Sequence, residues 1–225
     1  MIRIYWTRVD HIFQTEEWQR LFSLVPEFMQ KRILKFKRWQ DRYSALLGKL
    51  LLREGLLGFG YSEYLLNQWQ VGPHGKPFIA APVHFSISHT HGLVVCALTN
   101  RDEVGIDLEQ IRPIELGDFQ NMMEPEIWQT IIAADNRFQA FFEYWTLRES
   151  LVKADGRGLS VPFQALVIDN SQATFSSSFA PDHPGKSPTW HTLQITHFDG
   201  YSCHLATSWK NPDVSLQPIY PEAIK

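Results

Sequence analysis

In the run Val104-Gly105-Ile106-Asp107-Leu108-Glu109, apolar residues alternate with glycine and acids. Successive side chains of a β-strand point to opposite faces, so Val104, Ile106 and Leu108 share one face while Gly105, Asp107 and Glu109 share the other. Two carboxylates one pleat apart repel each other unless water, a proton or a cation intervenes, and hard oxygen ligands suit Mg²⁺ or Ca²⁺. Taken alone, the pair also reads as a polar strand face at a sheet surface. Further along stand Arg148, Glu149 and Lys153; Glu149 and Lys153 are four apart and share a helix face, which is the spacing of an ordinary ion pair. Lys76 follows Gly75 in Gly-Lys-Pro, and Ser88-His89 closes Phe85-Ser86-Ile87. His89 and His91 have the types for a metal pair, but no further His/Cys cluster supports zinc.

These residues need elements to hold them. Glu27 to Leu57 reads as one long helix, or two joined near Gly48, with Leu46, Leu47, Leu50 and Leu51 at helical spacing beneath a basic face. After a turn at Gly72, Pro73 and Gly75 come three strand-like runs, His84 to Ser88, Leu93 to Thr99 and Glu103 to Glu109. Their short connections predict an antiparallel meander. A second helix spans Arg137 to Ala154, carries Phe141, Phe142, Trp145, Leu151 and Val152, and stops at Asp155-Gly156-Arg157-Gly158. Asn170 to Pro188 has the composition of an exposed loop, and Asp199-Gly200 joins Trp190–Phe198 to Tyr201–Trp209 as a hairpin. Helices and strands in this order, without βαβ alternation, predict an α+β architecture.

With 225 residues, 44% of them hydrophobic, the chain buries one substantial core or two modest ones. Arg3 and Arg8 interrupt the first residues, no small-residue cleavage site follows, and Lys49, Arg53 and Glu54 break the most apolar run, so neither a secretory signal nor a membrane span is expected. Cys96 and Cys203 lie in apolar strands without a Cys-x-x-Cys spacing and read as reduced thiols of a cytoplasmic protein. The net charge is −3, yet residues 31–53 carry eight basic side chains against the single acid Asp41. That unevenness predicts a local anion site and excludes general nucleic-acid binding.

Gly-Lys-Pro, Phe-Ser-Ile-Ser-His, Val-Gly-Ile-Asp-Leu-Glu and Trp-Thr-Leu-Arg-Glu-Ser-Leu-Val-Lys occur in this order. Together they resemble the 4′-phosphopantetheinyl transferase superfamily, whose signature is a Gly-Ile-Asp strand followed about forty residues later by a Trp-x-x-Lys-Glu-x-x-x-Lys helix. Asp107 and Glu149 are 42 residues apart, and the match runs from the basic helix to Leu159. A single chain containing both motifs is similar to the larger, Sfp-type branch. The resemblance implies a monomer of two similar α+β subdomains related by a pseudo-two-fold, residues 1–105 and 106–225, with coenzyme A in a cleft between them.

It also implies roles. Asp107, Glu109 and Glu149 hold Mg²⁺, or Mn²⁺ in its place, against the coenzyme A pyrophosphate; Lys153 supports the same phosphates, and Asp107, Glu149 and Lys153 form the catalytic group. Glu149, or a water it orients, takes the proton of a carrier serine, with Glu126 the weaker candidate. Lys76, Ser88 and His89 match nucleotide and phosphate contacts, and Arg42 is assigned to the 3′-phosphate because a guanidinium fork suits that group. Lys31 and Arg38 assist it or meet the carrier. The partner is an apo acyl carrier protein or a carrier domain of a fatty-acid, polyketide or nonribosomal-peptide synthase. The sequence departs from the signature twice: Arg148 stands where lysine is usual, and Ser44 stands where a basic residue is expected three after Asp41. Two other classes are weighed against this one. A degenerate module would hold coenzyme A or a carrier without transfer; a different Mg²⁺-dependent nucleotide or phosphate transferase would make the Ser-His and Trp-x-x-x-Glu runs a coincidence, and no P-loop or Gly-x-Gly-x-x-Gly supports it.

Overall fold

The computed structural model describes residues 1–9, 12–169, 171–176, 179 and 189–225. They divide into two compact units, one of Met1–Gly72, Pro77–Arg101 and Asp213–Lys225, the other of Pro73–Lys76 and Asp102–Pro212. Helices and sheets are mixed without βαβ alternation in both, so the fold class is α+β.

The first unit contains β1 (Ile2–Arg8), α1 (Thr15–Ser23), α2 (Glu27–Ile33), α3 (Trp39–Gly58), β2 (Trp69–Val71), β3 (Pro77–Ile79), β4 (His84–Thr90) and β5 (Leu93–Thr99). Its main sheet has the order β11-β1-β5-β4, in which β11 (Val214–Pro218) lies parallel to β1 and the other pairs are antiparallel. Leu46, Leu47, Leu50 and Leu51 on α3 are fully buried in a core with Cys96, Leu98 and Met29. Gly48 stays inside this helix, since a Cβ there would come within 2.9 Å of Ile87.

The expected break near Gly48 is therefore corrected: the interruption falls at residues 34–38, between α2 and α3. A continuous helix would stack Lys31, Lys35, Arg38 and Arg42 three or four apart on one side, and like charges at that spacing destabilise it. The chain instead tightens through Lys35 N–H to Arg32 O and Phe36 N–H to Ile33 O, and Arg42 Nε donates to Phe36 O at 2.7 Å.

The second unit contains β6 (Val104–Gln110), α4 (Pro125–Ala133), α5 (Arg137–Asp155), β7 (Leu166–Asp169), β8 (Gln172–Phe175), β9 (Thr189–Gln194) and β10 (Tyr201–Thr207), with the sheet order β6-β10-β9-β8-β7. Here the predicted three-strand meander is corrected: β4 and β5 pair, but β6 pairs with β10. Part of the loop expected at Asn170–Pro188 is the strand β8; residues 170, 177, 178 and 180–188 lie outside the described residues. The hairpin about Gly200 is present, with Gly200 at φ +80.

Helix α5 starts at Asn136, whose side chain accepts from Gln139 N–H at 3.1 Å, and ends at Gly156, whose φ of 87 is the left-handed stop that glycine permits. Trp145 packs against Phe119, Phe141 and Phe163. The helix rests on β6 and β10, and Phe141, Leu151, Val152, Trp190 and Ala206 share its core.

Candidate active site

Strand β6 and helix α5 meet at Gly105. A Cβ there would lie 2.1 Å from Ser150 O and 2.4 Å from Ala154 N, so only glycine lets the helix backbone settle on the strand. Asp107, on the same strand face, is thereby covered and only 4% exposed. It is not the solvated sheet-surface residue that the strand pattern alone allows. Lys153 donates to Asp107 Oδ1 at 2.6 Å. This cross-element pair stands beside the Glu149–Lys153 attraction that the helix spacing suggests, in which Lys153 favours the charged form of Glu149.

Glu149 stands one turn before Lys153 and is half-buried. Burial pushes its carboxyl above the usual range, Asp107 and Glu109 push it the same way, and Lys153 opposes them. Three carboxylates thus act on one another across the β6–α5 contact, with one ammonium partly neutralising them. Among the described residues no three His, Cys, Asp or Glu side chains are gathered tightly enough to hold an ion as they stand. The donor chemistry nonetheless fits a hard divalent cation: all three groups are oxygen donors, and a cation relieves the like-charge repulsion that raises Glu149.

Lys76 reaches the C-terminal turn of α5, donating to Ala154 O at 2.8 Å and to Glu103 Oε2 at 2.5 Å. Its ammonium sits at the negative end of the helix dipole and supports the turn that follows Lys153. A Cβ on Gly156 would come within 2.9 Å of Lys76 Cδ, so this glycine serves both the left-handed stop and the lysine's passage.

Arg148 points elsewhere. Its guanidinium lies 3.8 Å over the Tyr144 ring and donates to Glu124 Oε1 at 3.3 Å, while Tyr144 O–H donates to Glu124 Oε2 at 3.1 Å. The arginine in place of the usual lysine thus ties α5 to the residue that opens α4. Glu126, the second candidate base, is exposed in the first turn of α4.

Arg42, Ser88 and His89 belong to the first unit: Arg42 in the first turn of α3, Ser88 buried on β4 and His89 exposed beside it. Sequence reasoning missed Glu124, Tyr144, Thr146, Ser202 and His204, all polar side chains with partners inside the second unit. The i,i+4 spacing of Tyr144 and Arg148 was the one signal available for the first group.

A family model described as "4′-phosphopantetheinyl transferase superfamily" matches residues 103–206, and one described as "4′-phosphopantetheinyl transferase, N-terminal" matches residues 13–101. The 4′-phosphopantetheinyl transferase gsp of Aneurinibacillus migulanus is 32% identical over 205 residues, covering 90% of this chain and 84% of that protein. The chain belongs to the 4′-phosphopantetheinyl transferase superfamily. It is also similar to the 4′-phosphopantetheinyl transferase Sfp of Bacillus subtilis (strain 168), 28% identical over 189 residues, covering 80% of this chain and 82% of that one. The L-aminoadipate-semialdehyde dehydrogenase-phosphopantetheinyl transferase of Mus musculus is 28% identical over 177 residues, covering 69% of this chain and 56% of that one. Enzymes of this family transfer phosphopantetheine from coenzyme A to apo carrier proteins. The Gly-Ile-Asp strand and the Trp-Thr-Leu-Arg-Glu helix that meet at Gly105 both lie inside the superfamily match. Among the described residues no helix is long and apolar enough to cross a membrane.

Proposed function

We propose that this chain moves the 4′-phosphopantetheine arm of coenzyme A onto a serine of an apo carrier protein, with Asp107, Glu109 and Glu149 as ligands of Mg²⁺. The observation that carries the reading is the meeting of Asp107, Glu149 and Lys153 at the β6–α5 contact of a chain matched by the family over both units.

The serine Oγ attacks the β-phosphorus of coenzyme A. A new P–O bond forms to the serine, the pyrophosphate P–O bond breaks, and 3′,5′-ADP leaves with the electron pair. Glu149, held above the usual carboxylate range by burial and by its acidic neighbours, accepts the serine proton directly or through a water it orients. When bound, Mg²⁺ supplies charge neutralisation on the pyrophosphate oxygens. Lys153 offsets carboxylate charge at Asp107 and, turned toward the substrate, offers the phosphates an N–H donor. Lys76, which donates to Ala154 O and Glu103 at the end of α5, is assigned to coenzyme A on its match to the family's Gly-Lys-Pro motif. Arg42, Ser88 and His89 are assigned to the same substrate on their match to the family's motifs, Arg42 to the 3′-phosphate.

The carrier is an acyl, peptidyl or aryl carrier of a fatty-acid, polyketide or nonribosomal-peptide synthase, and the enzyme acts as a cytoplasmic monomer. Carriers of this kind are acidic, so the basic stretch at Lys31 and Arg38 contributes attraction. The test is chromatographic detection of 3′,5′-ADP in a mixture of the protein, coenzyme A, an apo acyl carrier protein and Mg²⁺. Release that needs both carrier and Mg²⁺ supports transfer. Coenzyme A binding without release supports the degenerate module instead.

A further inference from the structure

Next to the carboxylates, the α5–β10 contact buries three polar side chains that the chemistry above leaves unused: Thr146, Ser202 and His204, which are 0%, 2% and 7% exposed. Thr146 Oγ1 lies 2.8 Å from Phe142 O, 2.8 Å from Ser202 Oγ and 2.8 Å from His204 Nδ1. A carbonyl oxygen only accepts, so the one hydroxyl proton of Thr146 goes to Phe142 O. Ser202 O–H and His204 Nδ1–H must then both donate to Thr146, which fixes the imidazole as its Nδ1–H tautomer and fills every site on the threonine oxygen.

The register gives this cluster its meaning. Ser202 is directly opposite Glu109 and His204 directly opposite Asp107 in the β10–β6 pairing, and such partners share a sheet face. Thr146 lies three residues before Glu149 and seven before Lys153 on α5, on the same side of the helix. Each strand carboxylate thus has a cross-strand neighbour bonded to one threonine of the helix that carries the other two site residues. Apolar packing holds a helix against a sheet but leaves its rotation soft; the two bonds from β10 to Thr146 are directional, and the third, to Phe142 O within α5, fixes the orientation of the hydroxyl that receives them.

We infer that Thr146, Ser202 and His204 are positioning residues of the transferase reaction, a polar clip that sets the rotation of α5 so that Glu149 and Lys153 face Asp107 and Glu109. The inference rests on the reading of those four residues as the reaction site.

The test uses the full chain and the variants T146V, T146S and S202A, with D107N alongside. Three quantities are read: the melting temperature, Mn²⁺ affinity by calorimetry without coenzyme A or carrier, and kcat and KM for coenzyme A with an apo acyl carrier protein. Losing a partner that orients ligands costs about 10–100-fold in affinity or activity. T146V is expected to lower kcat and Mn²⁺ affinity by that factor, change the KM for coenzyme A less than about twofold, and be restored by T146S. If T146V does not fold, S202A, which leaves the Thr146–Phe142 bond in place, shows the same pattern at smaller size. The inference is overturned if the variants keep wild-type kcat and Mn²⁺ affinity, or if only the melting temperature falls. If D107N also binds Mn²⁺ and turns over normally, the site reading itself fails and takes the clip with it; a defective D107N beside an unaffected T146V removes the clip alone.

Discussion

Replacing Gly105 by alanine tests the seating of α5 on β6 with a single methyl group. The added Cβ would sit 2.1 Å from Ser150 O and 2.4 Å from Ala154 N, both backbone atoms that no side-chain rotation can move aside. Favourable contacts lie at about 3.5–4.0 Å, so the helix must retreat by more than about 1 Å. Overpacking of this kind costs about 1–3 kcal/mol, and rigid backbone on both sides places Gly105→Ala at the upper end. For a chain of this size that is a fall in Tm of roughly 6–12 °C, out of a net stability of about 5–15 kcal/mol, so most molecules remain folded. The same retreat stretches the 2.6 Å Lys153–Asp107 contact beyond hydrogen-bonding range. A misplacement of about 1 Å costs catalysis on the order of 10²-fold. Thermal unfolding and single-turnover release of 3′,5′-ADP read the two effects. Gly117→Ala is the matched control, since its Cβ would meet Glu115 Oε1 at an ordinary 3.5 Å. A Gly105→Ala variant with wild-type Tm and rate would refute the close packing from which the site is built.

Other consequences follow from neighbouring groups. Arg148→Lys keeps the charge but loses the guanidinium stack on Tyr144 and weakens the tie to Glu124; a part-buried pair of this type predicts a loss of roughly 1–2 kcal/mol in urea unfolding, and a double cycle with Glu124→Gln should show coupling above about 0.5 kcal/mol. Burial pushes His204 down to about 4 from 6.5, against the opposite pull of Glu143 and Asp107. The fold therefore favours the neutral imidazole, and stability that is complete above pH 6.5 is lost as pH falls toward 4, by up to about 3 kcal/mol. Urea midpoints against pH should flatten in that window for His204→Asn, and parallel curves would assign the acid sensitivity elsewhere. Burial also raises both cysteine thiols, so Cys96 and Cys203 should resist iodoacetamide in the native protein at pH 8 and react together in urea. Native labelling at the rate of a free thiol contradicts their placement.

The sequence carried those features that depend on near neighbours. Alternation along Val104–Glu109 placed Asp107 and Glu109 on one strand face, and the spacing of Glu149 and Lys153 placed them on one helix face. The stop at Gly156 was readable because a left-handed residue after a helix selects glycine. Pairing between distant segments was not readable. Strand β6 leaves β5 for β10, roughly a hundred residues away, and β11 returns to lie parallel to β1, since partner choice depends on the whole packed sheet. The same limit hid the Lys153–Asp107 contact and the cluster at Thr146, whose members are unremarkable along the chain and meet only when α5 settles on β10. The break at residues 34–38 was misplaced because glycine propensity drew attention to Gly48, whereas close packing against Ile87 keeps that glycine helical.

Intact-mass spectrometry of an apo acyl carrier protein, incubated with this protein, coenzyme A and Mg²⁺, tests the central claim most directly, with Asp107→Ala in parallel. The account predicts a mass gain of one phosphopantetheine group on the carrier, abolished by chelating the Mg²⁺ and by the Asp107 variant. An unchanged carrier mass across acyl, peptidyl and aryl carriers, from a protein that still binds coenzyme A, would contradict it.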